Sequence, residues 1–272
     1  MNLPDWLSAV ILGVVEGLTE FLPVSSTGHM LVVQAWLGLD ANHWEVFTVF
    51  IQLGALAAVW WLFRCRLMSM VPWKNPTDLH RWRLAIQVLI AFAPVMILGY
   101  VTHHWITKHL FSVLTIAAAF IVGGVAILLI EKFRGVPKVE SLESLPTSLA
   151  ILVGMGQCLS LWPGISRSGA TIMAGLLVGM SRPVATEFTF LLAVPTMTAA
   201  SVYELWKYRH DLTSEMAGLL AIGFVAAFLS AWVVVKWFIH FVKGHTFNGF
   251  AWYRILAGMA LLGLFYRGFF HR

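Results

Sequence analysis

Four apolar blocks too short to cross a bilayer, set in two pairs around polar turns, constrain this chain more than its six longer blocks do. A helix rises about 1.5 Å per residue, so a hydrocarbon core needs roughly 20 helical residues. Six blocks approach that length: Val46–Phe63, Leu84–Val101, Val113–Ile130, Ala185–Val202, Met216–Val235 and Phe250–Phe265. Four fall short: Trp6–Val15, Met30–Leu39, Ser148–Leu161 and Thr171–Met180. Each short pair encloses a polar stretch containing Pro and Gly. Such backbone is tolerated at membrane depth only where protein or a water-filled cavity satisfies it. Each pair therefore reads as a re-entrant helix-loop-helix, and the chain as an all-α polytopic membrane protein. Composition agrees, with 11% charged residues against about 25% in a soluble domain. The net charge of +5 sits in loops between apolar blocks. That placement reflects membrane topology and gives no reason to expect a nucleic-acid partner. The first block carries Asp5 and no preceding basic residue, unlike a cleavable signal peptide. Cys65 and Cys158 lie in a basic loop and an apolar block, in no metal-ligand spacing, and are not expected to pair.

The two halves follow one pattern: short, short, long, long, long. Glu20–His29 (EFLPVSSTGH) resembles Ser160–Ala170 (SLWPGISRSGA), with Pro23 matching Pro163 and Glu45 matching Glu187 at an offset of 140 to 142 residues. This predicts a single membrane domain of two repeats, about 1–135 and about 145–272. Three crossings per half make the repeats inverted and put both termini on one face. Twelve basic residues (Arg64, Arg66, Lys74, Arg81, Arg83, Lys132, Arg134, Lys138, Arg182, Lys236, Lys243 and Arg254) then share one face. Five (Lys108, Lys207, Arg209, Arg267 and Arg272) share the other. The positive-inside rule makes the first face cytoplasmic and leaves both termini and the first loop's mouth extracytoplasmic.

Ionisable residues at membrane depth are functional candidates. Glu16 and Glu20 stand four apart, on one helical face. Neighbouring carboxylates repel unless a proton or cation lies between them, and oxygen ligands suit a hard ion such as Mg²⁺ or Ca²⁺. The alternative is a polar helix end reaching the interface. In PVSSTGHM, Ser25, Ser26 and Thr27 precede a helix expected from about Gly28, where they can cap it or leave its N–H groups to a phosphate. His29 adds an imidazole beside them. In PGISRSGAT, Arg167 reads as the one basic residue in the middle of an apolar region, and a guanidinium binds phosphate bidentately. Ser166, Ser168 and Thr171 supply hydroxyls, Gly164 and Gly169 allow close backbone approach, and Gln157 is placed to hydrogen-bond into the site. Carboxylates, phosphate-binding helix ends, an arginine, Ser and His are the parts of a phosphoryl-transfer site. Membrane depth implies a phosphate carried on a lipid. Glu45 and Glu187 read as interfacial, with a lesser expectation that they line the cavity. His103, His104 and His109 read as an interfacial cluster in a short outer loop, and Glu131–Thr147 as a solvated linker.

EGLTEFLPVSSTGH (Glu16–His29), PGISRSGAT (Pro163–Thr171) and FLLAVPTM (Phe190–Met197) together resemble the bacterial undecaprenyl-diphosphate phosphatase family, also called bacitracin-resistance proteins. The resemblance spans essentially the whole chain. It implies an enzyme of the bacterial cytoplasmic membrane that converts undecaprenyl diphosphate to the monophosphate carrier used in cell-wall synthesis. It implies metal-assisted catalysis at Glu16, Glu20, Ser26, His29 and Arg167, in a site toward the extracytoplasmic side. On that basis Glu16 and Glu20 hold the metal, Glu20 acting in part as base. Ser26 is the expected nucleophile, His29 a proton carrier, and Arg167 the pyrophosphate clamp. Ser25, Thr27, Gly28, Ser166, Ser168, Gly169, Thr171 and Gln157 are expected to bind substrate. Attack by water or by His29 stays open, and a homodimer is compatible with the sequence.

Two rival readings follow from the same residues. Inverted repeats with paired re-entrant loops also serve lipid transporters and flippases. A membrane phosphatase with a histidine nucleophile and a distal His–Asp pair is disfavoured, because no His with an Asp four residues later follows Arg167.

Overall fold

A computed structural model describes residues 3–39, 41–70, 79–209 and 216–271. Lys74 and Arg272 of the charge count lie outside them. The chain is all helical, in the order α1 (Asp5–Thr19), α2 (Ser26–Leu37), α3 (Ala41–Leu62), α4 (Arg64–Ser69), α5 (Leu79–Leu110), α6 (Val113–Phe133), α7 (Thr147–Gln157), α8 (Arg167–Leu177), α9 (Arg182–Lys207), α10 (Ala217–Gly244) and α11 (Asn248–Tyr266). Among the described residues six helices (α3, α5, α6, α9, α10 and α11) are long and apolar enough to cross a membrane. They correspond to the six predicted spans. The protein is therefore a multi-pass, all-α membrane protein. The short blocks become α1, α2, α7 and α8, of 15, 12, 11 and 11 residues.

Two boundaries differ from expectation. The helix expected from about Gly28 begins at Ser26. α5 runs on to Leu110, so His103, His104 and His109 occupy its last turns rather than a loop. Both extensions follow from geometry: a helix continues while its N–H groups find carbonyls, and neither stretch contains a breaking Pro or Gly.

Small residues set the packing. α1 lies along α10, with Gly13 against Gly223 and Ala226, and Gly17 against Ala227, Ser230 and Ala231. A Cβ at Gly17 would overlap the Ala227 carbonyl oxygen. The pair Gly13 and Gly17 thus forms the small-xxx-small seam that lets membrane helices approach closely. α7 packs on α5 by the same device, with Gly154 against the Ala91 backbone. The first short helix of each half therefore rests on a long helix of the other half. At one end of the bundle, Glu131 on α6 accepts from Arg182 Nε and Nη2 at 2.9 and 2.6 Å and from the Phe247 N–H at 2.9 Å. That carboxylate ties α6, α9 and the start of α11 together. Residues 131–147 are thus not wholly a solvated linker, since Leu142 and Leu145 are also buried.

Candidate active site

The two loops between the short helices meet at their tips. Ser168 Oγ donates to the Leu22 carbonyl at 2.7 Å, and Ser166 Oγ lies 3.0 Å from Ser168 Oγ. Both loops turn into their second helix through a serine with positive φ, Ser25 at 68° and Ser166 at 75°. A non-glycine residue there costs about 1–3 kcal/mol, so the surrounding packing must hold it. Gly164, at φ 98°, provides a further left-handed turn in the second loop.

The tie between the loops is Arg254, which is fully buried on α11. Its Nη1 donates to the Pro23 and Ile165 carbonyls at 3.3 and 2.9 Å. Its Nη2 donates to Ala119 and Gly164 at 3.0 and 2.9 Å, and its Nε to Phe120 at 3.4 Å. A guanidinium has five N–H donors, so every one is matched by a carbonyl dipole, without a carboxylate. Arg254 therefore does not belong to the basic residues of the cytoplasmic face, and Arg167 is not the only basic residue at membrane depth. The signal was present in the sequence, because Arg254 lies inside the span Phe250–Phe265 with apolar neighbours on both sides. Gly123 leaves the room the guanidinium occupies.

With the loops joined, α1 and α8 deliver opposite charges to one point. Glu16 and Glu20 share a face of α1, and Arg167 opens α8. Arg167 Nη2 stands 3.5 Å from Glu20 Oε1, the two side chains being 12% and 11% exposed. The other Glu20 oxygen accepts from Ser26 Oγ at 2.6 Å. Arg167 keeps Nε and Nη1 buried without a hydrogen-bond partner, and so do both carboxylate oxygens of fully buried Glu16. Orphaned buried donors and acceptors are costly, at about 1–3 kcal/mol each and more when charged. Two carboxylates beside one guanidinium also leave an uncompensated negative charge, which a proton or cation must offset. Within reach of the same group, α2 starts without a side-chain cap, its first N–H groups left to another acceptor. α8 differs, since Ser166 Oγ caps it at the Gly169 N–H, 3.1 Å away.

Glu20, Thr27 and Arg167 line a cavity of about 460 Å³. Its walls come mainly from α5 and α9 and are largely apolar, with Phe92, Val95 and Met197 among them.

Several predicted residues take other positions. His29 stands with Nδ1 2.7 Å from the Ser25 carbonyl, which fixes Nδ1–H as donor. Nε2 is then the acceptor for the Tyr253 hydroxyl of α11. Both ring nitrogens are thus engaged, and Tyr253 is a partner that sequence reasoning missed. Ser168 and Thr171 are buried and bonded within the loops, Thr171 Oγ1 donating to the Arg167 carbonyl at 2.8 Å. Gln157 is buried and reaches the cavity wall only through Thr196, at 3.5 Å. Gly28 packs on Phe120, and Gly169 approaches Pro23. Ser25 supplies its carbonyl to His29 and no cap. Glu45 accepts from Tyr208 Oη at 2.7 Å, and Glu187 lies 3.6 Å from Arg66 Nε, so both hold helix ends away from the Glu20–Arg167 cluster.

Comparison with known proteins identifies the family. The family model of the bacitracin resistance protein BacA matches residues 9–260. The chain belongs to the BacA family. It is 46% identical over 269 residues to "Undecaprenyl-diphosphatase 2" of Rhodospirillum rubrum, covering 98% of each chain. It is 45% identical to "Undecaprenyl-diphosphatase" of Cupriavidus metallidurans, with 96% of each covered, and 44% identical to that of Methylococcus capsulatus, with 98% of each covered. The BacA match takes in both loops, Arg254 and the cavity walls, so the tied-loop site lies wholly within the family's extent.

Proposed function

We propose that this protein hydrolyses undecaprenyl diphosphate to undecaprenyl phosphate and inorganic phosphate. The observation that carries the reading is the Ser26–Glu20–Arg167 group, with its unpartnered guanidinium nitrogens, whose Glu20 and Arg167 line a largely apolar cavity. Its relatives' names favour hydrolysis over lipid translocation.

In the chemistry this geometry supports, Glu20 takes the Ser26 hydroxyl proton as Oγ attacks the terminal phosphorus. The bond from that phosphorus to the bridging oxygen breaks, and the lipid monophosphate leaves with the electron pair. Water, deprotonated by Glu16, then attacks the phosphoserine; the P–Oγ bond breaks, Ser26 Oγ takes its proton back from Glu20, and phosphate is released. Arg167 Nε and Nη1 with the open N–H groups of α2 neutralise the non-bridging oxygens. Glu16 and Glu20 fit a hard divalent cation such as Mg²⁺ or Ca²⁺, since Glu16 offers two buried oxygens without partners. Among the described residues no third His, Cys, Asp or Glu joins them, which suits an ion that takes its other ligands from phosphate and water. When bound, such an ion neutralises charge on the transferring phosphoryl group. His29, held by Tyr253, orients the start of α2.

We further propose two inverted repeats, about 1–135 and 145–272, in the bacterial cytoplasmic membrane, with the site opening extracytoplasmically. The paired positive-φ serines and the exchanged packing of α1 on α10 and α7 on α5 support the repeats. The excess of basic residues on one face supports the orientation even without Arg254.

Purified protein in detergent, given undecaprenyl diphosphate, should release inorganic phosphate and stop on addition of EDTA. Translocation needs two compartments and hydrolysis does not, so absence of release from folded protein would favour the transporter reading. Release unaffected by EDTA would remove the metal.

A further inference from the structure

The reaction proposed above leaves one of the two phosphates without protein partners. Arg167 Nε and Nη1 and the open N–H groups of α2 serve the terminal phosphate, which Ser26 attacks. The phosphate that stays on the lipid gains a negative charge as the bridging bond breaks. In a largely apolar cavity that charge needs hydrogen-bond donors already in place. On the hydrolysis reading, on which this inference rests, those donors have to line the same cavity as Glu20 and Arg167.

Gln52 of α3 lines that cavity. It is partly buried and stands at the middle of the span Ala41–Leu62, in the apolar run VFIQLGAL. A polar side chain at that depth is expensive unless something bonds to it. Other polar side chains nearby are satisfied within the protein. Gln34 Nε2 donates to Thr48 Oγ1 at 3.0 Å, one turn before Gln52, and Thr48 Oγ1 donates to the Trp44 carbonyl at 2.9 Å. Thr196, which lines the same cavity, donates to the Leu192 carbonyl at 2.8 Å. Among the described residues no hydrogen bond engages the Gln52 side chain. Packing does not call for an amide here either. The offset that matches Glu45 to Glu187 carries Gln52 onto Val194 of α9, so an apolar side chain fills the equivalent place in the other half. A carboxamide offers two N–H donors. It adds no charge to a site that already holds a guanidinium and two carboxylates.

We propose that Gln52 is a substrate-binding residue whose Nε2 donates to a non-bridging oxygen of the phosphate that remains on the lipid. The contact strengthens as charge develops on the leaving group. It also makes the site select a diphosphate. A lipid monophosphate with its single phosphorus at Ser26 leaves the amide unmet, and a polar group built to be paired rejects a ligand that cannot pair it.

The test uses Gln52→Met, which keeps the length of the side chain and removes both donors. Phosphate release from undecaprenyl diphosphate should fall about 10- to 100-fold in kcat/KM, the range for one hydrogen bond to a charged group. Farnesyl diphosphate should lose the same factor, because the contact is to the headgroup and not to the tail. The melting temperature in detergent should hold or rise, since the amide has no partner in the free protein. Inhibition by the product undecaprenyl phosphate should weaken, whereas inhibition by inorganic phosphate, held at Arg167, should not change. The proposal is overturned if kcat/KM is unchanged, if only the long substrate suffers, or if the melt falls in step with activity. Inhibition by the two products that weakens equally, or not at all, overturns the assignment to the lipid-side phosphate. Wild-type protein that releases phosphate from neither lipid would overturn the hydrolysis reading itself, a result visible before any variant is made.

Discussion

Arg254 directs its five N–H groups at five backbone carbonyls, whereas Arg167 keeps two nitrogens without any partner. The same side chain is in one place a fastening and in the other an open anion receptor. Replacing Arg254 with Met should leave several buried carbonyls short of a donor, at about 1–3 kcal/mol each. The thermal midpoint in detergent should fall by many degrees, and activity should fall with it. Arg254→Lys, with three donors, should lie between. A melt unchanged in Arg254→Met would show that the loop tips hold together without it. The residue scale is also where the sequence was least informative. Glu16, Glu20 and Arg167 stood out by spacing and depth, whereas Ser26 was singled out from its hydroxyl neighbours only by the family resemblance. Tyr253 did not stand out, because nothing local in NGFAWYRIL marks which aromatic will face an imidazole 224 positions earlier. Ser168 and Thr171 look like ligands in a string of hydroxyls, and only the fold shows that Ser168 ties one loop to the other while Thr171 bonds within its own half.

Among the elements, the seam of α1 on α10 decides where the carboxylates stand. Gly13 and Gly17 sit on the face that meets α10, and Glu16 and Glu20 follow from that choice of rotation. Gly17→Val should force α1 away from Ala227 and Ala231. It should lower folded yield and the melting temperature, and should cost turnover more than a Val placed at exposed Leu18. Equal behaviour of the two variants in a melt and a phosphate assay would contradict the seam. Block length alone distinguished these short helices from spans, since about 20 residues are required and none has more than 15. Helix ends were harder to place. α5 outlasts its apolar block because its last turns are polar but still hydrogen-bonded, with His109 Nδ1 donating to the Trp105 carbonyl at 2.9 Å.

For the whole molecule, the fold brings the tips of two distant loops under one arginine and opens a cavity between α5 and α9 beside them. The internal similarity of Glu20–His29 and Ser160–Ala170 carried most of this, since related loops with opposite chemistry suggest a shared site. What it could not carry is the exchange of partners, α1 on α10 and α7 on α5, which depends on long-range packing. The central claim is that Ser26, Glu20 and Arg167 act on one lipid diphosphate. The direct measurement is phosphate release from undecaprenyl diphosphate by Ser26→Ala, Glu20→Gln and Arg167→Ala beside wild type, each checked for an unchanged melt. The account predicts losses of at least about 10²-fold for each, the scale of removing a catalytic base or a transition-state donor. Turnover within a few fold of wild type in any one of the three would contradict it.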